Sequence, residues 1–208
     1  MENYIITIAR GYGSGGSHIA KAVAEKLQIP CYDNEILEMA SNLSGINESY
    51  FYQANEKIHR GILPISSKGV YTGSIYSVND RQYLSNENLF NYQALVIRNL
   101  ALEDKQSCII VGKAANYILK SLKNVIKINI QAPQEYCIGN ITKRLVKSEY
   151  EAAEMIQKTN KYRSDYYQYY TGRNWYDPSE YDICLNTASL GENYAAELIV
   201  KLVKDRMG

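Results

Sequence analysis

At 208 residues the chain has room for one α/β domain with a lid or an insertion. A hydrophobic fraction of 46% and a charged fraction of 22% are those of an ordinary folded protein. The net charge of +1 excludes a global field favouring nucleic acid or an anionic membrane, so any anion site must be local.

The first element is "YIITIA" (4–9), a short apolar β-rich run that meets glycine almost at once and reads as a buried parallel strand. The period then changes. Ile19, Val23 and Leu27 fall four apart with Ala20 and Ala24 beside them, which is one face of an amphipathic helix. A second short strand, "IPCYD" (29–33), is broken by Pro30. Asp33 or Asn34 is then placed to cap a helix carrying Ile36, Leu37, Ala40 and Leu43.

Residues 44–86 contain Gly45, Gly61, Pro64, Gly69 and Gly73 among many Ser, Asn and Tyr, and read as an inserted arm of broken helices with a hairpin near "GVYTGSIYSV". A helix over about 87–103 follows, with Phe90, Ala94, Ile97 and Ala101 on one face. "SCIIVGKAAN" (107–116) is a central strand running into a helix, and "VIKINI" (125–130) is another strand. Pro133 opens the next helix. Residues 148–170 are long and polar and read as two helices with a break. "YDICLNT" (181–187) is the last strand, and 191–206 form a closing helix.

Strands alternating with helices imply a parallel sheet covered on both faces, with ligands beyond the carboxyl ends of the strands. Three segments lie there: 10–18, 112–116 and 131–136. In the first, Gly11, Tyr12, Gly13, Ser14, Gly15 and Gly16 keep the G-x-x-x-x-G spacing of a phosphate-binding loop. Glycines allow positive φ and close approach of phosphate, and successive N–H groups form a nest backed by the helix N-terminus. The pattern then breaks. Ser17 stands where such loops carry lysine, and His18 where they carry a hydroxyl. Arg10, Lys113 and Arg163 are candidate replacement cations. Lys21 lies one turn along the helix and suits a solvated position better.

Twenty tyrosines stand against two phenylalanines, clustered at 162, 166, 167, 169 and 170. Most are expected to be packing residues with a wet tip, a few to line a nucleotide site. Cys31, Cys108, Cys137 and Cys184 form no CxxC pair, so buried reduced thiols are expected rather than a metal centre. With neither a signal peptide nor a long apolar span in the sequence, a cytoplasmic location without membrane association is the expectation.

Taken together, "IARGYGSGGSHIA", "CYDNEIL", "IIVGKAANYIL", "TNKYRSDYYQYYTGRNW" and "YDICLN" resemble the cytidylate kinase-like family, a branch of the P-loop nucleoside-monophosphate kinases. The match runs from the first strand to the last. "YYQYYTG" followed by "YDICLN" is the specific part. The resemblance implies a three-layer α/β/α P-loop kinase fold over 1–208, with an acceptor-binding arm at about 44–86 and a lid at about 140–175. It implies transfer of the γ-phosphoryl group of ATP, with Mg2+, to a small acceptor, which is CMP or dCMP in cytidylate kinases. Nucleotide binding would fall to Gly11, Gly13, Ser14, Gly15, Gly16, Ser17 and His18. Arg10, Asp33, Lys113 and Arg163 would carry the chemistry, with Asp33 facing the acceptor or the metal.

The departures are specific. Lys113 replaces the family's arginine and Asn116 its aspartate, the pair that reads cytosine, and lysine lacks arginine's planar fork. Asn160 replaces an aspartate and Tyr162 an arginine in the lid. Three readings follow: a kinase for CMP or a related acceptor, a kinase for a different acceptor such as a sugar or cofactor precursor, or a nucleotide sensor that has lost transfer. A homodimer is compatible with the closing helix and the tyrosine-rich surface. Nucleic acid is not an expected partner.

Overall fold

The computed structural model describes residues 3–59, 73–104 and 106–207. Five strands build one parallel sheet: β1 (Ile5–Arg10), β2 (Cys31–Tyr32), β3 (Cys108–Val111), β4 (Val125–Gln131) and β5 (Ile183–Asn186), in the order β2-β3-β1-β4-β5. β1 is central. Its register sets Ile5 against Cys108 on one side and Val125 on the other, and Arg10 against Ile130 at its carboxyl end. Such continuous apolar strands are stable only when both faces are covered.

One face is covered by α1 (Gly16–Leu27) and the closing helix α9 (Glu192–Met207), which follows the one-turn α8 (Thr187–Leu190). Ile6, Ile8, Ile109, Ile126, Ile128 and Ile130 pack there against Ile19, Val23, Ala195 and Ile199. The other face, marked by Ile5, Cys108 and Ile110, lies under α2 (Glu35–Ser44), α3 (Glu48–His59), α4 (Asn86–Leu102) and the short α5 (Ala115–Ile118). Two helices complete the chain, α6 (Gln134–Leu145) and α7 (Glu149–Thr171). A parallel sheet covered on both faces is what the alternating pattern implied, and the layers are those of the P-loop kinase fold that the resemblance implied.

Three local expectations change. Residues 149–171 form one helix of 23 residues, not two. Ser148 and Glu151 close a reciprocal capping box at its start, Gly172 ends it, and neither glycine nor proline interrupts it. Polarity along this segment marks a half-solvated helix, not a break. Asp33 does not cap α2. The N-cap is Asn34, without a side-chain hydrogen bond, and the Asp33 carboxylate turns to Arg10 instead. Cys184 is exposed and Cys31 half-buried; only Cys108 and Cys137 are buried, and all four are free.

Of the hairpin expected at 69–78, residues 69–72 lie outside the described residues, and 73–78 form no strand. Here Asn88, fully buried on α4, supplies the pairing a strand would have made. Its side chain accepts from Tyr76 N–H at 2.9 Å and donates to Tyr76 O at 3.2 Å. Among the described residues no helix is long and apolar enough to cross a membrane.

Candidate functional site

The loop after β1 is built from its backbone. Gly13 and Gly15 have φ of +83° and +81°, which L side chains adopt at a cost of about 1–2 kcal/mol per residue. Space is also closed. A Cβ on Gly13 would lie 2.9 Å from Cys137 O, and one on Gly15 would overlap the Glu192 carboxylate. Ser14, fully buried, holds the curve from inside, donating to Gly11 O at 2.9 Å. The N–H of Gly11 is spent on Ile130 O, and that of Tyr12 on Asn160 Oδ1 at 2.8 Å. The N–H groups of Gly13, Gly15 and Ser17 bond to no described residue. Gly15 is the N-cap of α1 and offers no side-chain cap. Free N–H groups at a helix N-terminus form an anion nest.

This nest opens into a cavity of about 390 Å3, the loop cavity. Its far wall comes from α6. Asn140 donates to Gly13 O at 2.9 Å, and Lys143 and Arg144 line the same space. The Tyr12 ring lies 5.8 Å from both the Arg144 and Arg163 guanidinium carbons, a cation–π arrangement. Ser17 lines the cavity in the lysine position. His18 is exposed and faces Glu192 at 3.5 Å. Lys21 is exposed and lines neither this cavity nor the next.

A second space, the inner cavity of about 210 Å3, lies beyond the ends of β1 and β3. Asp33, Lys113, Asn116, Tyr162, Tyr166 and Trp175 line it, with Thr7 from β1 beneath. α7 contributes Thr159, Tyr162, Arg163, Tyr166 and Tyr167, related by steps of three and four residues that place them on one face. The unbroken helix matters here. It is fixed to the phosphate loop by Asn160, and by Arg163 Nη1 donating to Arg10 O at 2.7 Å.

Arg10 and Arg163 line both cavities. Arg10 Nη2 bridges the Asp33 carboxylate at 3.0 and 3.2 Å. Two glycines make its slot. A Cβ on Gly16 would meet Arg10 Cβ at 2.5 Å, and one on Gly112 would overlap its guanidinium. Next to Gly112, Lys113 and Ala114 are also left-handed, with φ of +53° and +55°. Two such non-glycine residues in a row store strain, which is tolerated where it places a functional backbone.

The four residues expected to carry chemistry, Arg10, Asp33, Lys113 and Arg163, therefore meet around one space, with three cations against one carboxylate. Burial, and secondarily repulsion from Arg10, brings Arg163 down to about 9 and Lys113 to about 8, while Asp33 opposes both shifts. Burial also lowers Arg10. Such crowding of like charge at the mouth of a parallel sheet suits an anion.

A model of the cytidylate kinase-like family matches residues 5–189. The chain belongs to that family. No curated protein matches it. Among solved structures, an uncharacterized protein from Eubacterium ventriosum is 25% identical, with a TM-score of 0.72 over 97% of this chain and 99% of that one. TT1252 from Thermus thermophilus shares the fold at 14% identity, with a TM-score of 0.52 over 98% of each chain.

Sequence reasoning missed Asn140, Lys143, Arg144 and Glu192, which line or brace the loop cavity. Glu192 follows Gly191 and reads as an acid in the first turn of a helix. The α6 cations read as the basic last turn of theirs.

Proposed function

We propose that this protein is a kinase that transfers the γ-phosphoryl group of ATP to a hydroxyl of a small acceptor. The observation that carries the reading is the shared wall. A phosphate nest and a second, partly open cavity meet at Arg10 and Arg163. A phosphoryl group in transit lies between donor and acceptor, and the protein's part is positioning and charge neutralisation.

In this reading the free N–H groups of Gly13, Gly15 and Ser17 hold the β- and γ-phosphates. Arg10 and Arg163 supply the charge that the missing lysine would have brought. The acceptor oxygen bonds to the γ-phosphorus as the bond to the β–γ bridging oxygen breaks. ADP leaves with that electron pair, and the hydroxyl proton passes to the Asp33 carboxylate. Arg10 keeps Asp33 oriented through its two contacts with the carboxylate.

The fold family implies magnesium. Ser17 Oγ and Asp33 are oxygen donors of the type it takes, and the described residues hold no cluster of three metal-binding side chains. Phosphate oxygens would thus supply most ligands, as is usual for nucleotide-bound magnesium. Bound there, the metal would neutralise charge between the β- and γ-phosphates.

CMP and dCMP are the acceptors that family membership brings forward; they would accept on a phosphate oxygen in place of a hydroxyl, with no hydroxyl proton for Asp33 to take. A cytoplasmic single-domain enzyme, with 44–86 as acceptor arm and 140–175 as lid, completes the reading. A nucleotide sensor is the second reading, favoured by Ser17 and by Asn160 occupying the Tyr12 N–H. Isothermal titration with ATP and Mg2+, beside an acceptor panel assayed for ADP, separates them. Turnover above the ATPase background supports the kinase. Binding without turnover on any acceptor supports the sensor, and no binding removes both.

A further inference from the structure

The inner cavity carries information about its occupant. Four buried side-chain polar atoms lack a hydrogen-bond partner among the described residues, and three of them, Thr7 Oγ1, Arg10 Nε and Tyr166 OH, belong to residues that line this one cavity. Buried polar groups are nearly always paired, so a cluster of orphans needs a cause.

The tyrosines of α7 make the point by contrast. Tyr167 donates to Glu180, Tyr169 to Glu87 and Tyr170 to Asn86 O. Tyr170 also stacks on Phe90 at 3.9 Å. Tyr166, only 6% exposed, has the same aromatic packing yet no partner for its hydroxyl. Thr7 is 2% exposed and sits mid-strand, where valine would pack as well and leave nothing unpaired.

Charge adds a second constraint. Lys113 lines the cavity with no carboxylate in ion-pair range among the described residues, since Asp33 is taken by Arg10. Size adds a third. Pockets for drug-sized ligands run from about 300 to 1,000 Å3. The loop cavity falls in that range, while the inner cavity, at about 210 Å3, falls below it. A nucleoside monophosphate must place a base, a ribose and a phosphate. Base reading is also narrowed, because Asn116 Nδ2 gives one of its two N–H groups to Tyr167 OH at 2.9 Å.

We propose that the inner cavity takes a compact polyhydroxylated acid, its anionic group on Lys113 and its hydroxyls on Thr7 and Tyr166, in place of a nucleoside monophosphate. This rests on the kinase reading above and names its acceptor class. One hydroxyl stays free to face Asp33 and the shared wall.

The test is an acceptor panel with ATP and Mg2+, read by 31P NMR for phosphate esters. It contains glycerate, gluconate and quinate as hydroxy acids, glucose and ribose as uncharged polyols, and CMP and dCMP. A hydroxy acid should exceed both nucleotides and both polyols at least tenfold in kcat/KM. Preference for CMP or dCMP would overturn the acceptor class while leaving the kinase standing. Equal use of polyols and acids would overturn the role of Lys113. Bound ATP with no ester from any compound would defeat the kinase reading, and this proposal with it.

Two variants sharpen the result. Lys113→Met should raise KM for the acid roughly 10- to 100-fold with KM for ATP within about twofold. Tyr166→Phe should move two readouts in opposite directions. The unliganded protein should melt about 2–4 °C higher, because a buried orphan is gone, while KM for the acid rises several-fold. A higher melting point with an unchanged KM would remove Tyr166 from the acceptor site.

Discussion

The two cavities meet at one wall but are made of different material. The loop cavity is bound by backbone: two left-handed glycines, three uncommitted N–H groups and a helix N-terminus. The inner cavity is bound by side chains: Lys113, Asp33, Thr7, Tyr166 and the tyrosine face of α7. Replacement acts differently on the two. At the loop, Ser17 in the lysine slot changes one charge and leaves the nest intact. In the inner cavity, each changed side chain alters what the space can recognise. In the proposed reading phosphate binding rests on backbone geometry, while acceptor choice rests on side-chain identity.

The most damaging way to break this division is at the shared wall. Arg10→Met removes one of the two cations common to both cavities and leaves Asp33 without its Arg10 partner. Single-turnover transfer should fall by about 10³-fold or more, the scale seen when an arginine is withdrawn from a phosphoryl transition state. A stopped assay for ADP and product ester checks it. Backbone damage comes next. Gly13→Ala forces a Cβ against the Cys137 carbonyl in a left-handed turn. It should cost about 1–3 kcal/mol in denaturant stability and weaken ATP while sparing acceptor binding in the absence of nucleotide.

Titration separates the regions more gently. Burial lowers Lys113 to about 8, so its charge is complete below that pH and is lost above it. Acceptor kcat/KM should be flat to about pH 7 and fall about tenfold per unit once pH passes about 8. Lys113→Arg should remove the fall near pH 8, leaving activity flat until pH approaches the value of about 9 at which Arg163 stands. Stability should move the other way. The folded pKa lies below the unfolded value of about 10.4, so the charged form opposes folding. That opposition fades as pH rises from about 8 to about 10.4. The smallest effect is expected at the residue that first looks most deviant. Ser17→Lys should change transfer by less than about tenfold if Arg10 and Arg163, which line both cavities, supply the charge as proposed. A rise of 10²-fold would show that those arginines do not replace it.

Much of this was legible before any coordinates. The apolar run of β1, the four-residue spacing of α1 and the "YDICLN" strand fixed a parallel sheet, because burial on both faces leaves a strong sequence mark. The glycine spacing located the turn that opens α1 and its N–H groups, since positive φ favours glycine. Arg10, Asp33, Lys113 and Arg163 were placed by motif, and they do converge. The pairing of Asp33 with Arg10 was not legible, because Asp before a helix reads equally well as a cap. Nor was the continuity of α7, whose polar composition hid an interrupted-looking but well-capped helix. Glu192 and the α6 cations were invisible for another reason. Their contacts with the loop span more than a hundred residues of chain, and locally they read as ordinary helix-end charges. The orphan hydroxyls of Thr7 and Tyr166 are a property of packing alone.

The most direct test of transfer across the shared wall is a single-turnover experiment with ATP, Mg2+ and the best acceptor of the panel, run on the native protein, Arg10→Met and Arg163→Met. The native protein should convert γ-phosphate to ester in proportion to ADP. Both variants should still bind ATP within about tenfold and form almost no ester. Ester formation at native rates in both variants, or inorganic phosphate as the native protein's sole product, would contradict it.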